Sequence, residues 1–200
     1  TDPNLRSTQI EIYEGLNSIS QNCWPSVNFD LGSINNLFSR IIPAGFYYKT
    51  FMWPKSFWYK IYEPFIRKAA GLGTASIKHD KERYEHKYEY CDLLITGSGP
   101  SGLASAYSAA KNGAKVILAE DKSRFGGTLL TSDVNIGNQS GKEWADSIIS
   151  ELKEMPNVTV KNRSQVFGYY DHNMLVMSER ISDHLPKTKK FHPKQRLWYI

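Results

Sequence analysis

A short apolar run that ends in a glycine-rich turn constrains this 200-residue chain more than any other feature. Cys91-Asp-Leu-Leu-Ile-Thr96 has the length of a strand, and Gly97-Ser-Gly-Pro-Ser-Gly102 follows it directly. A helix comes next, with Leu103, Ala106, Tyr107 and Ala110 on one face and Gly113 as its stop. Lys115-Val-Ile-Leu-Ala119 then forms a second apolar strand that terminates at Glu120. Strand, turn, helix and strand within about 30 residues make a parallel βαβ unit of the dinucleotide-binding kind.

Each position of the turn has a physical task. Gly97 permits the tight exit from the strand, Gly99 lets the backbone approach a pyrophosphate, and Gly102 removes a Cβ from between helix and strand. Pro100 and Ser101 complete the turn, and the free N–H groups around Ser101 and Gly102, with the helix dipole, favour the doubly negative pyrophosphate. Glu120 stands 18 residues after Gly102, where its carboxylate is expected to accept from both hydroxyls of the adenosine ribose. A carboxylate there repels a 2′-phosphate, which favours NAD or FAD over NADP, although Lys122 and Arg124 keep NADP open. The paired Gly126 and Gly127 allow a second close backbone approach, a feature of proteins that hold FAD or a tightly bound NAD. Gly137-Asn-Gln-Ser-Gly-Lys-Glu143 has the look of a phosphate loop, but its spacing is one short and Glu143 replaces the magnesium-binding hydroxyl.

Beyond Glu120, Ser140-Gly-Lys-Glu143 predicts a capping box for a helix from Trp144 to Met155, with Trp144, Ile148, Leu152 and Met155 on one side. Val158-Thr-Val160 reads as a third parallel strand, and residues 165–177 as a hairpin turning at Asp171-His-Asn173. Before the unit, residues 1–77 form an aromatic-rich helical or irregular segment in which ten of the twenty residues from Phe46 to Phe65 are Phe, Tyr or Trp. Thr8-Gln-Ile-Glu11 predicts a cap for a helix with Ile10, Tyr13, Leu16 and Ile19 on one face. A second helix is expected from Pro54 to Ala70, kinked at Pro64 and stopped by Gly71 and Gly73, with Trp58, Ile61, Tyr62, Phe65, Ile66 and Ala69 as its apolar stripe. Core packing is the first explanation of that stripe, an interface with another domain or subunit the second; a flavin box or a membrane-surface face are further readings. Residues 78–89 carry four acids, four bases and two histidines and read as a charged linker or exposed helical turn.

The fold class expected is therefore α/β: a Rossmann-like FAD/NAD(P)-binding domain over residues 90–200, a parallel βαβ sheet with a small antiparallel hairpin, incomplete and with an exposed edge. The ending at Leu197-Trp-Tyr-Ile200 and the lack of an initiator Met point to a piece of a longer protein. An apolar content of 40% with 22% charged residues is that of an ordinary soluble globular protein. No run approaches the roughly 18 apolar residues a membrane span requires. Cys23 and Cys91 make no disulfide framework, which fits a reducing compartment, by default the cytoplasm. The basic stretch from Lys187 through Lys194 and Arg196 is read as a solvated loop between strands rather than a nucleic-acid groove. His79 and His86 are seven apart with no second ligand cluster, so no metal site is expected.

Gln21-Asn-Cys-Trp-Pro25, Asn28-Phe-Asp-Leu-Gly32, residues 44–54, Tyr62-Glu-Pro64, the glycine turn, Arg124-Phe-Gly-Gly127 and Val166-Phe-Gly-Tyr-Tyr-Asp171 together resemble the alpha subunit of heterotetrameric sarcosine oxidase. The likeness covers essentially the whole chain, and its aromatic block is the specific part. It implies an internal fragment, lacking an amino-terminal ferredoxin-like domain, the rest of the nucleotide domain and a carboxy-terminal folate-binding region. It further implies a non-covalent NAD(+) on the glycine turn, amine oxidation at flavin in the beta subunit, and FMN at the interface of the two. The beta, gamma and delta subunits are then partners, and sarcosine, oxygen and tetrahydrofolate give glycine, hydrogen peroxide and 5,10-methylene-tetrahydrofolate, or formaldehyde without folate.

Carried over by position, the resemblance places Ser101 in the turn, where the family commonly has Ala, and Glu120, Asp121 and Lys122 at the ribose. Thr128 follows the paired glycines, and Val166 offers strand backbone to the adenine. No residue of the chain is expected to be catalytic: there is no redox cysteine pair, activated nucleophile or acid/base dyad. Alternative readings are an FAD-dependent amine or opine dehydrogenase, a ferredoxin-type pyridine-nucleotide reductase subunit, or a scaffold whose NAD is structural. Neither nucleic acid nor membrane is expected as a partner.

Overall fold

In the computed structural model, residues 5–7, 10–40, 45, 49–73, 75–185 and 192–200 are described. They fall into two units, Thr1–Asp80 and Lys81–Ile200. None of the described helices is long and apolar enough to cross a membrane.

Proline and glycine set the shape of the first unit. A 3-10 helix, Leu31–Phe38, is capped by Asp30, whose carboxylate accepts from the Gly32 N–H at 2.9 Å. A continuous helical run from Lys55 to Ala69 changes pitch twice: a 3-10 turn (Lys55–Phe57), a π turn (Trp58–Tyr62), then α1 (Glu63–Ala69). Pro64 has no N–H, and the wide turn just before it sends the Glu63 N–H back to the Trp58 carbonyl, so the kink expected at Pro64 takes the form of this register change. At the far end the Leu72 N–H reaches the Arg67 carbonyl and the Gly71 N–H the Lys68 carbonyl, with Gly71 at φ +65°, a complete Schellman stop.

Two expectations for this unit fail. Residues 10–20 form no helix; Gly15 sits mid-way at φ +81°, and one tight turn from Tyr13 to Leu16 replaces the helix. Thr8 and Gln9 of the expected cap lie outside the described residues. The aromatic stripe does not make a core either: no described residue of the unit is buried, and Trp53 and Tyr59 are each 83% exposed.

The second unit runs β1 (Tyr84–Tyr88), β2 (Leu93–Thr96), α2 (Pro100–Lys111), β3 (Val116–Ala119), a 3-10 turn (Gly127–Leu130), β4 (Asn135–Ile136), β5 (Gln139–Ser140), α3 (Gly141–Glu154), β6 (Val158–Lys161), β7 (Ser164–Tyr170), β8 (Met174–Arg180) and β9 (Gln195–Tyr199). The parallel sheet has the order β2-β3-β6, with Leu93 opposite Val116 and Val116 opposite Val158. β2 is one edge, as expected of an incomplete sheet. Leu103, Ala106 and Ala110 of α2 and Ala145, Ile149 and Leu152 of α3 share one core with Val116 and Leu118 of β3. The capping box of α3 is present in both directions, Ser140 to Glu143 and back. Trp144, Ile148 and Met155, expected on the inner face, flank the core and are only partly buried.

A second sheet, β1-β9-β8-β7, contains the expected hairpin, its corner made by His172 and Asn173 at φ 63° and 59°. It also corrects the reading of 78–89 as linker. Tyr84–Tyr88 is a strand, parallel to β9, and its charges are strand charges: the Arg196 guanidinium meets Glu85 at 3.0 Å, while His86 and Tyr88 stack on Tyr199. Arg196 is thus sheet-bound rather than part of a solvated tail. Residues 186–191 of that tail lie outside the described residues.

Candidate functional site

The site forms where β2 and β3 end. Gly97 leaves β2 at φ +93°, a conformation that an L side chain resists, and its N–H is held by the Ala119 carbonyl at 2.7 Å. α2 starts at Pro100 with Gly99 as its cap residue and no side chain capping it. Pro100 has no N–H to leave orphaned, and the amides of Ser101 and Gly102 stand in the first turn, where the helix dipole is positive. An ideal Cβ on Gly102 would overlap the Gly97 carbonyl oxygen, which is why the third glycine has no substitute. A Cβ on Gly99 would meet nothing within 4 Å, so the space above the turn is open to a ligand.

Beneath the turn, Glu120 is only 5% exposed. Its Oε2 accepts from the Ser98 N–H at 2.8 Å and from the Ser98 hydroxyl at 2.5 Å, and its Oε1 accepts from the Lys122 N–H at 3.0 Å. The Ser98 hydroxyl in turn accepts from the Gly126 N–H at 3.1 Å, which draws the paired glycines onto the turn. Gly126 and Gly127 have φ of +118° and +54°, and Thr128 follows, exposed, in the 3-10 turn that they open.

An open cleft of about 250 Å³ lies beside these elements, lined by Thr96, Gly97, Ala119, Asp121, Ser164, Gln165 and Val166. That is below the roughly 300–1,000 Å³ of a drug-sized ligand pocket, so it is too small to enclose a ligand of that size completely. Burial opposes ionisation of Asp121, but hydrogen bonding to Glu120 and Lys122 and the charges of Lys122 and Arg180 outweigh it and hold its carboxyl below the usual range. Arg180 also donates to the Asp121 carbonyl at 2.9 Å.

The residues expected from sequence therefore converge. Gly97, Gly99, Pro100, Ser101 and Gly102 form the turn, Gly126 and Gly127 approach it with Thr128 next along the chain, and Asp121 and Val166 line the cleft. Lys122 contributes its backbone to Glu120 and its ammonium to Asp121 at 3.3 Å. Glu120 lies under the turn and is not among the residues lining the cleft. Sequence reasoning missed Ser98, Ser164, Gln165 and Arg180. Ser98 falls on a variable position of the glycine pattern, and the other three arrive from β7 and β8, whose register no local signal reveals.

Residues 92–178, which span the turn, Glu120 and Val166, match a family model described as FAD dependent oxidoreductase. The chain is 47% identical over 199 residues to sarcosine oxidase subunit alpha of Rhizobium meliloti (strain 1021), a match that covers all of this chain and 20% of that protein. It is 33% identical over 133 residues to the same subunit of Corynebacterium sp. (strain U-96), covering 66% of this chain and 14% of that one. The chain thus spans a fifth or less of the length of these relatives. Among solved structures, L-proline dehydrogenase from P. horikoshii is similar at 16% identity and a TM-score of 0.44, over 63% of this chain and 24% of that one.

Proposed function

This chain is related along its whole length to a segment of the sarcosine oxidase alpha subunit, and we propose that it holds NAD(+) non-covalently within a multi-subunit enzyme that oxidises sarcosine. The observation that carries the reading is the uncapped start of α2 beside the enclosed Glu120 carboxylate: amides for a pyrophosphate and an acceptor for a ribose, at adjacent strand ends.

The amides of Ser101 and Gly102 bind the pyrophosphate, and Gly99 and Gly127 let it approach. Glu120, with Asp121 and Lys122, would hold the ribose, Thr128 would contribute from just after the paired glycines, and the backbone of Val166 would meet the adenine. When bound, a nicotinamide supplies a hydride acceptor. Of the residues lining the cleft, Asp121 alone is ionisable. Holding the nucleotide is therefore the task of this segment, and oxidation of the amine falls to flavin on other parts of the assembly, with FMN between alpha and beta subunits. The gamma and delta subunits complete the complex, and tetrahydrofolate is served by a region outside this chain. Glycine, hydrogen peroxide and formaldehyde or 5,10-methylene-tetrahydrofolate are its products. Cys23 and Cys91 are free thiols, in keeping with a cytoplasmic enzyme.

A second reading is FAD on the same turn, favoured by the description of the matching family. Denaturing the full-length protein and identifying the released nucleotides separates the two. NAD released in stoichiometric amount supports the first reading; FAD with no NAD overturns it. Sarcosine-dependent peroxide formation that persists without the partner subunits would overturn the placement of the chemistry elsewhere.

A further inference from the structure

Ser98 is fully enclosed, and every polar atom of its side chain and amide is committed to joining two motifs. Its N–H and its hydroxyl both donate to Glu120 Oε2, at 2.8 and 2.5 Å, and its hydroxyl accepts from the Gly126 N–H at 3.1 Å. Each carboxylate oxygen offers two lone-pair positions. Ser98 fills both on Oε2, so a ligand hydroxyl can be taken only on Oε1, which already accepts from the Lys122 N–H at 3.0 Å.

We propose that Ser98 is a positioning residue of the dinucleotide site: by saturating Glu120 Oε2 it fixes the carboxylate so that Oε1 alone grips one ribose hydroxyl, and it locks the Gly126–Gly127 turn against the glycine turn. This narrows the expectation that Glu120 accepts from both hydroxyls. The inference rests on the dinucleotide reading of the site. It goes beyond that reading in making the grip on the ribose depend on a side chain that touches no ligand.

A double-mutant cycle in the full-length protein tests it, with NAD(+) and FAD as probes titrated into nucleotide-free samples. Ser98→Ala is expected to weaken binding about tenfold when Glu120 is present and less than twofold on top of Glu120→Gln, because the two side chains act as one unit. Removing one of the two adenosine ribose hydroxyls from the probe is expected to cost about tenfold in the unsubstituted protein, and removing the other much less through Glu120; Glu120→Gln should erase that difference. Ser98→Cys keeps the volume with a poorer donor and should fall between, which guards against a folding defect in the Ala variant. Equal loss from Ser98→Ala in both backgrounds would mean a merely structural role and overturn the proposal, as would no loss at all. Failure of the unsubstituted protein to bind either probe would overturn the dinucleotide reading itself, an outcome distinct from binding that ignores Ser98.

Discussion

Gly127 rests against Gly99: an ideal Cβ on Gly127 would lie 2.9 Å from the Gly99 Cα, and the Gly127 φ is +54°. Two glycines from separate motifs therefore meet, and their contact seats the second loop on the first. Gly127→Ala is expected to strain the backbone by about 1–2 kcal/mol and to push the 3-10 turn off the glycine turn. Thermal unfolding should register the strain, and nucleotide affinity should fall about tenfold or more, as for a displaced positioning element. Gly113→Ala is the control, since Gly113 has φ +87° but nothing within 4 Å of its Cβ. It should lose stability and leave the nucleotide alone; equal effects of both variants on affinity would refute the contact argument.

Gly99 and Gly102 predict opposite patterns. Gly99 has an ordinary φ of −65° and open space beyond its Cα, so Gly99→Ala should leave stability within about 0.5 kcal/mol while obstructing the pyrophosphate. Gly102→Ala drives a methyl into the Gly97 carbonyl, and α2 must shift off β2. The cost expected is about 1–3 kcal/mol of overpacking, with loss of nucleotide besides. Chemical denaturation beside nucleotide titration of each variant checks the split, and a Gly99→Ala protein that unfolds as easily as Gly102→Ala would contradict it.

Lys161 gives the pH prediction. Its ammonium lies beneath Trp198, 3.9 Å from the ring centre and 3.9 Å from Glu179, on a side chain only 13% exposed. Burial pushes its pKa down; Glu179 works against that push and Arg196 with it. Because the folded pKa lies below the ordinary amine value, the unfolded chain binds more protons in the window between the two. Stability should therefore rise with pH through that window. Lys161→Met should flatten the rise, measured by thermal unfolding from neutral pH to about 10. At neutral pH the variant should lose little, because Glu179 keeps the Trp198 Nε1–H at 2.6 Å and Arg196 at 3.3 Å and is not left unpaired. An unchanged pH slope would remove Lys161 from the account.

Local signals carried the second unit well. The glycine turn, α2 with its Leu103, Ala106 and Ala110 face, the α3 cap and the corner at His172 and Asn173 all depend on residues within a few positions of one another. β1 was illegible for the opposite reason. Tyr84, His86 and Tyr88 alternate with Glu85 and Lys87, but the partners that give this alternation meaning, Arg196 and Tyr199, stand more than a hundred residues away. Separation along the chain, though shorter, also hid Ser164, which bonds Glu120, and Arg180, which is 59 residues from its partner Asp121. In the first unit, Ile10, Tyr13, Leu16 and Ile19 kept helical spacing, yet spacing describes a face only if a helix forms and something covers it. Gly15 removes the first condition, and the second fails across the unit.

A unit in which no described residue is buried, and in which Trp24, Phe29, Trp53, Tyr59 and Phe65 are all exposed, holds far more apolar surface than a monomeric domain normally leaves in water. Phe51, Met52, Lys55, Trp58 and Tyr59 also surround an apolar hollow of about 260 Å³. The 200-residue chain produced alone should therefore bind a hydrophobic dye strongly or self-associate at micromolar concentration, and removal of residues 1–80 should abolish the larger part of that signal. The full-length protein should show little of it, because cover for these aromatics is then present. If the isolated chain stays monomeric and dark with the dye, the aromatics find their cover within these 200 residues, and the interface reading falls. If the signal survives removal of residues 1–80, its source lies in the second unit, where Leu93 on the β2 edge and Phe167 and Tyr169 on β7 are exposed.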